Sequence, residues 1–598
     1  MYTMSVKKKN PISHLFGAMW SISDKKGKRA IVTYLSMFFV ANAVELSQPF
    51  VVGFLFNMIQ QQGITQETYM SVLMLLLALV VMTLLEWFFH GPARVIEQSN
   101  AFRVFKKKKE ALMSHVVSLP LEWHSDHHSG DSIDKIEKGT RALYDFSQDT
   151  FMVFKNGLRF LIAFGVLAYF NIHSTYIILG LVVLVTYIIF KFDVHLEKLM
   201  DIVNKAENTV SAKVYDIIGN ISTIVMLRAQ KSSLEILSEE IEKPFATFLR
   251  WVKINELKWF LVSVFAALTQ FFILASYIIM EVRVGGVILV GTVYLLYSYV
   301  QDIVSVFYNI AWWYSDLVVK RTKLVNAEEL EQYPVPEVYT SDESIQKNWK
   351  TVSLHNISFT YKGQEKTDDA RHLSDISLRF SRGEKIAFIG ESGSGKTTML
   401  KILRGLYDVD SGTVQIGKKE VPGGIYDIAQ MVALVPQDPE IFATTIAENI
   451  TLGLPYSEKE MRYFSDLALF TAVAERLPRQ FASEINEKGV NLSGGEKQRL
   501  ALARGLLFAK DRDIILLDEP TSSIDAKNER LIYENIFEMF KKKTVISTIH
   551  RLHMLPMFDT IYYFKRGHII ASGTFTQLQK SSKEFRQLWQ KYNKSHKE

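Results

Sequence analysis

The chain has 598 residues, a formal charge of +6 and 48% hydrophobic residues. That length exceeds one core, and the composition is too polar for a protein lying wholly in a membrane, so two or more domains are expected. With no cysteine, disulfides, zinc–thiolate sites and thiol catalysis are excluded together.

The basic excess does not read as nucleic-acid binding. Lys7 to Lys9, Lys25, Lys26, Lys28 and Arg29 precede the first long apolar run, and Lys106 to Lys109 follow the second. This is the pattern of cytoplasmic loops beside membrane helices. Six runs reach the roughly 20 residues that a spanning helix needs, near 30–58, 68–90, 146–170, 174–192, 258–281 and 284–310. The first is too long, and has no small-residue cleavage site, for a cleavable signal. The short loops 59–67, 171–173 and 282–284 hold a single Lys or Arg, Arg283, so they are placed outside and both ends inside. The connections 91–145 and 193–257 are long and polar. They predict helices running on past the membrane, a 25-residue extension adding roughly 38 Å. Each hairpin needs a docking surface, with tips expected at Pro120 to Asp131 and Ile217 to Thr223.

Several polar residues fall within the runs: Glu45, Gln48, Glu86, His90 and Gln270. Either they contact substrate or they hydrogen-bond between helices, and the second reading carries more weight. Pro49 predicts a tolerated kink, and Trp312 and Trp313 an inner aromatic belt. His115, His124, His127 and His128 match no zinc spacing and read as a polar hairpin tip.

Residues 331–350, with Pro334 and Pro336, read as a linker between a transmembrane domain over 1–330 and a soluble domain over 351–598. The strand-like Thr351 to Tyr361 is followed by a polar insertion, Gly363 to Arg371, and the buried strand Ile386 to Ile389. Then comes Gly390-Glu391-Ser392-Gly393-Ser394-Gly395-Lys396-Thr397, followed by Thr398 and a helical stretch. This is the phosphate-binding loop in its strand–loop–helix setting. Its glycines let backbone N–H groups converge on phosphate, Lys396 supplies charge to the β- and γ-phosphates, and the Thr397 hydroxyl ligates Mg²⁺. Downstream, the apolar strand Ile514 to Leu517 ends in Asp518 and Glu519. Asp518 completes the Mg²⁺ site and Glu519 points a carboxylate at the attacking water, so hydrolysis of a nucleoside triphosphate is expected.

Leu492-Ser493-Gly494-Gly495-Glu496-Lys497-Gln498-Arg499 makes the resemblance specific: it is similar to the LSGGQ signature of ABC transporters, with Glu496 in the last place. The resemblance implies that Ser493, Gly494 and Gly495 bind the γ-phosphate of ATP held by another subunit. It also implies that Gln437 is the Q-loop glutamine that senses Mg²⁺, that Asp525 belongs to the D-loop, and that His550 is the switch histidine. Tyr361 resembles the adenine platform, with Phe359 the alternative. Asn486 to Gly489 resembles a loop that touches the hairpin tips but lacks its first Gly. Leu119 to Trp123 with Gly130 and Asp131 is similar to the first inner loop of exporter-type half-transporters, whose layout of six spans ahead of one ATP-binding domain is the same.

The fold expected is therefore an N-terminal all-α six-helix transmembrane domain plus a C-terminal α/β P-loop ATPase domain, using ATP and Mg²⁺. The resemblance implies an ATP-driven exporter or flippase of an amphipathic or lipid-like substrate, paired with a second half-transporter of identical sequence in membrane lipid. A bacterial inner membrane is expected, with the ATPase domain cytoplasmic. No peptidase domain precedes the first span, so self-matured peptide cargo is not expected. An importer on the same fold and an ATP-gated regulatory membrane protein stand as alternatives.

Overall fold

The computed structural model describes residues 10–127, 129–170, 172–335, 349–361, 372–438, 440–485 and 492–595. His128, most of the expected linker, the 363–371 insertion and Asn486 to Gly489 lie outside them. The chain forms two compact units, Met1–Val117 with Ser129–Pro334, and Ser118–His128 with Val335–Glu598.

The first unit is helical. α1 (Pro11–Ile22) starts on Asn10, whose side chain accepts from Ile12 N at 3.0 Å, with Pro11 at the first turn. α2 (Lys25–Gln62) is capped by Asp24 and stops at Gly63, where φ is 69°. α3 (Tyr69–Val117) runs into the short α4 (Leu121–Asp126), which belongs to the second unit. Pro49 and Pro92 sit inside α2 and α3 without ending either helix.

The third span differs from expectation. The run 146–170 is divided at Asp149 into α5 (Ser129–Gln148) and α6 (Thr150–Phe170). The physical reason lies on α3. Buried Glu97 accepts from Phe151 N at 2.9 Å, and Arg94 donates to Gln148 O at 2.7 Å, so side chains satisfy the backbone groups that the break frees.

α7 (Ile172–Gly219), α8 (Ile221–Met226), α9 (Gln230–Glu242), α10 (Phe245–Val284) and α11 (Val290–Glu328) complete the unit. The sixth span begins at Val290 rather than 284, because Gly285 turns the chain at φ 72°. Asn57 and Gln60 then accept from the first free amides of α11, Gly291 N and Val290 N. Among the described residues, six helices are long and apolar enough to cross a membrane, and the most apolar stretch of α3 buries nothing within the chain. Its Leu76, Leu77, Leu84, Trp87 and Phe88 lie exposed, as lipid-facing side chains would.

Inside the unit, Leu15, Tyr34, Phe38, Phe146 and Leu317 form one core cluster, and Leu167, Ile178, Ile273 and Tyr299 another. Trp313 is 8% exposed and packs in the first cluster, which corrects its assignment to an interfacial belt. The side chain of Trp312 lies outside the described residues. The basic run after α3's apolar segment is paired throughout: Lys106 with Glu110, Lys107 with Asp24, Lys108 with Glu331 and Lys109 with Glu137.

The second unit holds two sheets. β1 (Thr351–Phe359), β2 (Leu373–Ser381), β4 (Ser411–Ile416) and β5 (Lys419–Glu420) form an antiparallel sheet in the order β2-β1-β4-β5. β3 (Lys385–Ile389), β6 (Val432–Val435), β7 (Ile514–Asp518), β8 (Thr544–Thr548), β9 (Thr560–Lys565) and β10 (His568–Gly573) form the other, in the order β10-β9-β3-β8-β7-β6. All its pairings are parallel except β9–β10. β3, β7 and β8 are buried along their whole length, with apolar residues at the centre of each strand and polar ones such as Lys385, Asp518 and Thr548 at their ends. Helix α12 (Lys396–Leu403) follows β3, and a helical region carries α13 (Ile425–Ala429), α14 (Ile446–Thr451), α15 (Glu458–Leu467) and α16 (Thr471–Glu475). α17 (Gly494–Ala509) precedes β7, α18 (Ala526–Met539) follows it, and α19 (Phe575–Ser581) and α20 (Lys583–Ser595) end the described chain. Within this unit burial holds the Tyr407 phenol above its ordinary range, and the neighbouring Tyr361 and Glu122 of α4 add to the effect.

Candidate functional site

Parallel strands deliver their C-terminal ends to one edge of a sheet, where side chains from separate strands converge. Here β8 lies between β3 and β7, so the loop after β3, the acids ending β7 and the histidine after β8 become neighbours. The loop from Gly390 to Gly395 is shaped by glycine. Gly390 has φ 146°, and a Cβ there would come within 2.2 Å of Phe564 O. Lys396 Nζ donates to Gly390 O and Glu391 O at 2.9 Å each, folding the ammonium back over the loop. Burial pushes its pKa down while Glu519 and Asp518 oppose the shift.

Thr397 donates to Asp518 Oδ1 at 3.1 Å, and Thr548 donates to the same oxygen at 2.9 Å. Asp518 is 4% exposed and burial raises its pKa against those two hydroxyls. Glu519 follows with φ 46°, a left-handed conformation that costs a non-glycine residue and aims its carboxylate away from the strand. Its amide donates to Thr548 Oγ1 at 2.8 Å. Its carboxylate meets His550 Nε2 at 2.5 Å and accepts from Gln437 Nε2 at 3.0 Å. His550 is the largest cause of the downward shift in the Glu519 pKa, so the carboxylate stays ionised.

Six of the residues singled out in the sequence thus meet in one cluster: Gln437, Lys396, Thr397, Asp518, Glu519 and His550. The others stand around it. Ser493 caps α17 and forms a reciprocal box with Glu496, so the glutamate in the signature holds the helix start. Gly495 lies against Ser523 O, which a Cβ would approach to 2.8 Å. Asp525 caps α18 by accepting from Asn528 N. Tyr361 reaches Thr398 Oγ1 at 3.2 Å and makes edge contacts with Phe359, His372 and Tyr407.

Two roles were not assigned from the sequence. Thr548 becomes the bridge between Asp518 and Glu519 only because Asp518 pairs with Thr548 in the β7–β8 register. Gln498 bonds Ser522 Oγ at 2.6 Å and Ser523 N at 2.8 Å, tying the signature helix to the segment after Glu519. The signal for Gln498 was in the motif, but its partner lies on a separate segment.

The donor set suits the groups the motif calls for. Thr397 and Asp518 offer hard oxygens at one point, the donors Mg²⁺ prefers. Among the described residues the buried Ser394 hydroxyl has no hydrogen-bond partner, and it sits beside the glycine cradle, where a phosphate would reach it.

In the transmembrane unit, three of the five polar residues foreseen, Glu45, Gln270 and His90, find partners within the chain. Glu45 meets Lys155 at 2.7 Å and Arg159 at 2.9 Å, and Gln270 bonds Gln301 at 3.0 Å. His90 packs among Phe38, Trp87 and Phe151. Lys155, Arg159 and Asp302 were overlooked, although a charge inside an apolar run is itself the signal. Of the histidine group, His115 bonds Tyr333 O at 3.0 Å and His127 stacks on Trp123 at 4.3 Å.

The family model described as ABC transporter transmembrane region matches residues 31–304, and that described as ABC transporter matches residues 373–522. A multidrug resistance ABC transporter ATP-binding and permease protein of Lactococcus lactis is 30% identical over 302 residues, 49% of each chain. An ATP-dependent lipid A-core flippase of Vibrio vulnificus is 34% identical over 256 residues, 42% of this chain and 43% of that one. The matched stretch thus spans about half or less of these relatives. A solved structure described as a bacterial Atm1-family ABC exporter with ATP bound shares the fold, with a TM-score of 0.80 and 20% identity, over 94% of this chain and 99% of that one. Its fold, the two adjoining family matches and the phosphate-loop chemistry agree: this chain belongs to the ABC transporter family and has the half-transporter arrangement, a transmembrane region followed by an ATP-binding domain.

Proposed function

We propose that the chain is one half of a homodimeric exporter that hydrolyses ATP to move an amphipathic or lipid-like substrate across a membrane by alternating access. The observation that carries this reading is the Lys396–Thr397–Asp518–Glu519–His550–Gln437 cluster on a polypeptide with six apolar helices of spanning length. Residues 1–330 form the transmembrane domain and 351–598 the ATP-binding domain, with the latter and both chain ends cytoplasmic. The named activities of the multidrug and flippase relatives support export.

The residues divide the work. The 390–397 loop cradles the phosphates, and Lys396 swings from its carbonyls onto the β- and γ-phosphates. Thr397, Asp518 and the Gln437 carbonyl would hold Mg²⁺, which supplies charge neutralisation for the phosphates when bound. Glu519 accepts a proton from the attacking water, and His550 holds that carboxylate in place and reaches the γ-phosphate. Ser493, Gly494 and Gly495 of one copy present a helix N-terminus to the nucleotide held by the other.

The test is purified protein in nanodiscs. Replacing Glu519→Gln keeps the shape of the side chain but removes the base and leaves one oxygen to accept where the carboxylate accepts on two, so turnover should fall by about 10²–10⁴-fold while ATP binding persists. Reconstituted in vesicles, the wild-type chain should move a fluorescent amphiphile towards the side opposite the ATP. Turnover surviving in the variant would remove the role given to Glu519, and movement towards the ATP side would favour an importer.

A further inference from the structure

A cavity of about 270 Å³ opens within the transmembrane unit, lined by Phe151, Met152, Lys155, Asn156, Arg159, Asn309 and Trp313. Lys155 and Arg159 lie on α6, five and nine residues from its start, roughly 8 and 14 Å along a helix at 1.5 Å per residue. This is well inside a span, where a charge persists only when paired or facing a cavity. Both charged residues on the wall are cations. The carboxylates that hold them, Glu45 on α2 and Asp302 on α11, do not line it.

The donor count is unbalanced. Glu45 takes Lys155 on both oxygens and one arm of Arg159. Among the described residues, the other Arg159 arm reaches only Ser305 Oγ, at 3.4 Å. Arg159 Nε is buried and has no hydrogen bond among the described residues, standing 3.4 Å from Asp302. A guanidinium offers five donors in a planar fork that fits an oxyanion, and leaving donors unused in a buried place is costly. Around this polar floor, Phe151, Met152 and Trp313 give apolar walls. The volume lies at the small end of ligand pockets, enough for a head group and the first part of an apolar body.

We propose that this cavity binds the substrate's head group, and that the substrate is an amphipathic anion whose carboxylate or phosphate is taken by Lys155 and Arg159, with Asn156 and Asn309 beside it. This rests on the exporter reading and narrows its substrate class. Glu45 and Asp302 position the cations and are engaged by them, and the described wall offers no carboxylate of its own to a hydrophobic cation.

The test is equilibrium dialysis of the full chain, in nanodiscs of neutral phosphatidylcholine, against dodecyl phosphate and dodecyltrimethylammonium, which share one tail. The phosphate should bind at least about tenfold more tightly, the worth of one charge-assisted hydrogen bond. Lys155→Gln and Arg159→Gln should each weaken it by about tenfold, and Arg159→Lys by less. Equal or tighter binding of the cation to the wild-type chain would overturn the site, a comparison that needs no variant to fold. So would wild-type affinity for dodecyl phosphate in a doubly substituted chain. Competition by phosphatidylglycerol in the disc upholds the site and places its ligand in the leaflet; no competition upholds it with a ligand from water. ATP hydrolysis, followed in parallel, separates the two readings. Normal turnover without anion preference overturns this inference alone. Anion preference without ATP-driven movement of dodecyl phosphate overturns the exporter reading alone.

Discussion

At the residue scale, single atoms decide whether a motif is a site. Gly390→Ala would drive a methyl into Phe564 O and force a side chain into a glycine conformation, a cost of about 2 kcal/mol or more. The expected outcome is loss of ATP binding, read by nucleotide fluorescence, together with a lower melting temperature; normal affinity would show that the loop can shift. Lys385, at the start of the same strand, shows how burial acts on a charge. Its ammonium donates to the carbonyls of Gly383, Phe540 and Lys543, yet desolvation pushes its pKa down to about 8, with Asp559 opposing. The sign follows from proton counting. Between pH 8 and the ordinary 10.5 the unfolded chain holds the proton that the folded chain has lost, so stability from this group rises with pH in that window. The melting temperature of wild type minus that of Lys385→Met should therefore increase from pH 8 upward. A constant difference would mean that the three carbonyls outweigh the desolvation.

At the element scale, helices meet where side chains are missing. Gly53 on α2 and Gly291 on α11 allow backbone contact, and a Cβ on Gly291 would stand 1.8 Å from Gly53 O. Small residues at crossing points are how membrane helices approach closely. Gly291→Ala should separate α2 from α11 and destabilise the transmembrane unit by about 1–3 kcal/mol, seen as earlier thermal aggregation in detergent. Unchanged melting would mean that α11 can slide. The break at Asp149 belongs to this scale too. No glycine or proline marks it, because the device is Glu97 and Arg94 on another helix. Likewise Glu496 in the signature, read as a mere substitution, closes a capping box on Ser493.

At the scale of the whole molecule, the proposed site shared between two copies can be tested by complementation. Lys396→Ala breaks the phosphate loop. Gly494→Asp breaks the signature by placing an acid against the γ-phosphate, at a helix start with its nearest neighbour 4.0 Å away, so folding is undisturbed. Each variant alone should be inactive. In an equal mixture, half the dimers are mixed and carry one intact site of two, so about a quarter of wild-type ATPase activity should return if the sites act independently. No recovery on mixing, with mixed dimers present, would place each site within one copy.

The sequence by itself determined the order of the parts: six spans by apolar length, and a nucleotide domain by the 390–397 loop, the Asp518–Glu519 pair and the 492–499 signature. These are local statements, fixed by helix length, charge and contiguous motif. What only the tertiary structure decided lies between segments distant in the chain. Thr548 joins Asp518 because two strands share a register, Gln498 joins Ser523 across a turn, and Glu45 meets Lys155 and Arg159 some 110 residues away. Hydrogen bonds and ion pairs form by distance in space, to which sequence separation is blind, whereas apolar periodicity and glycine-rich loops are written in consecutive residues.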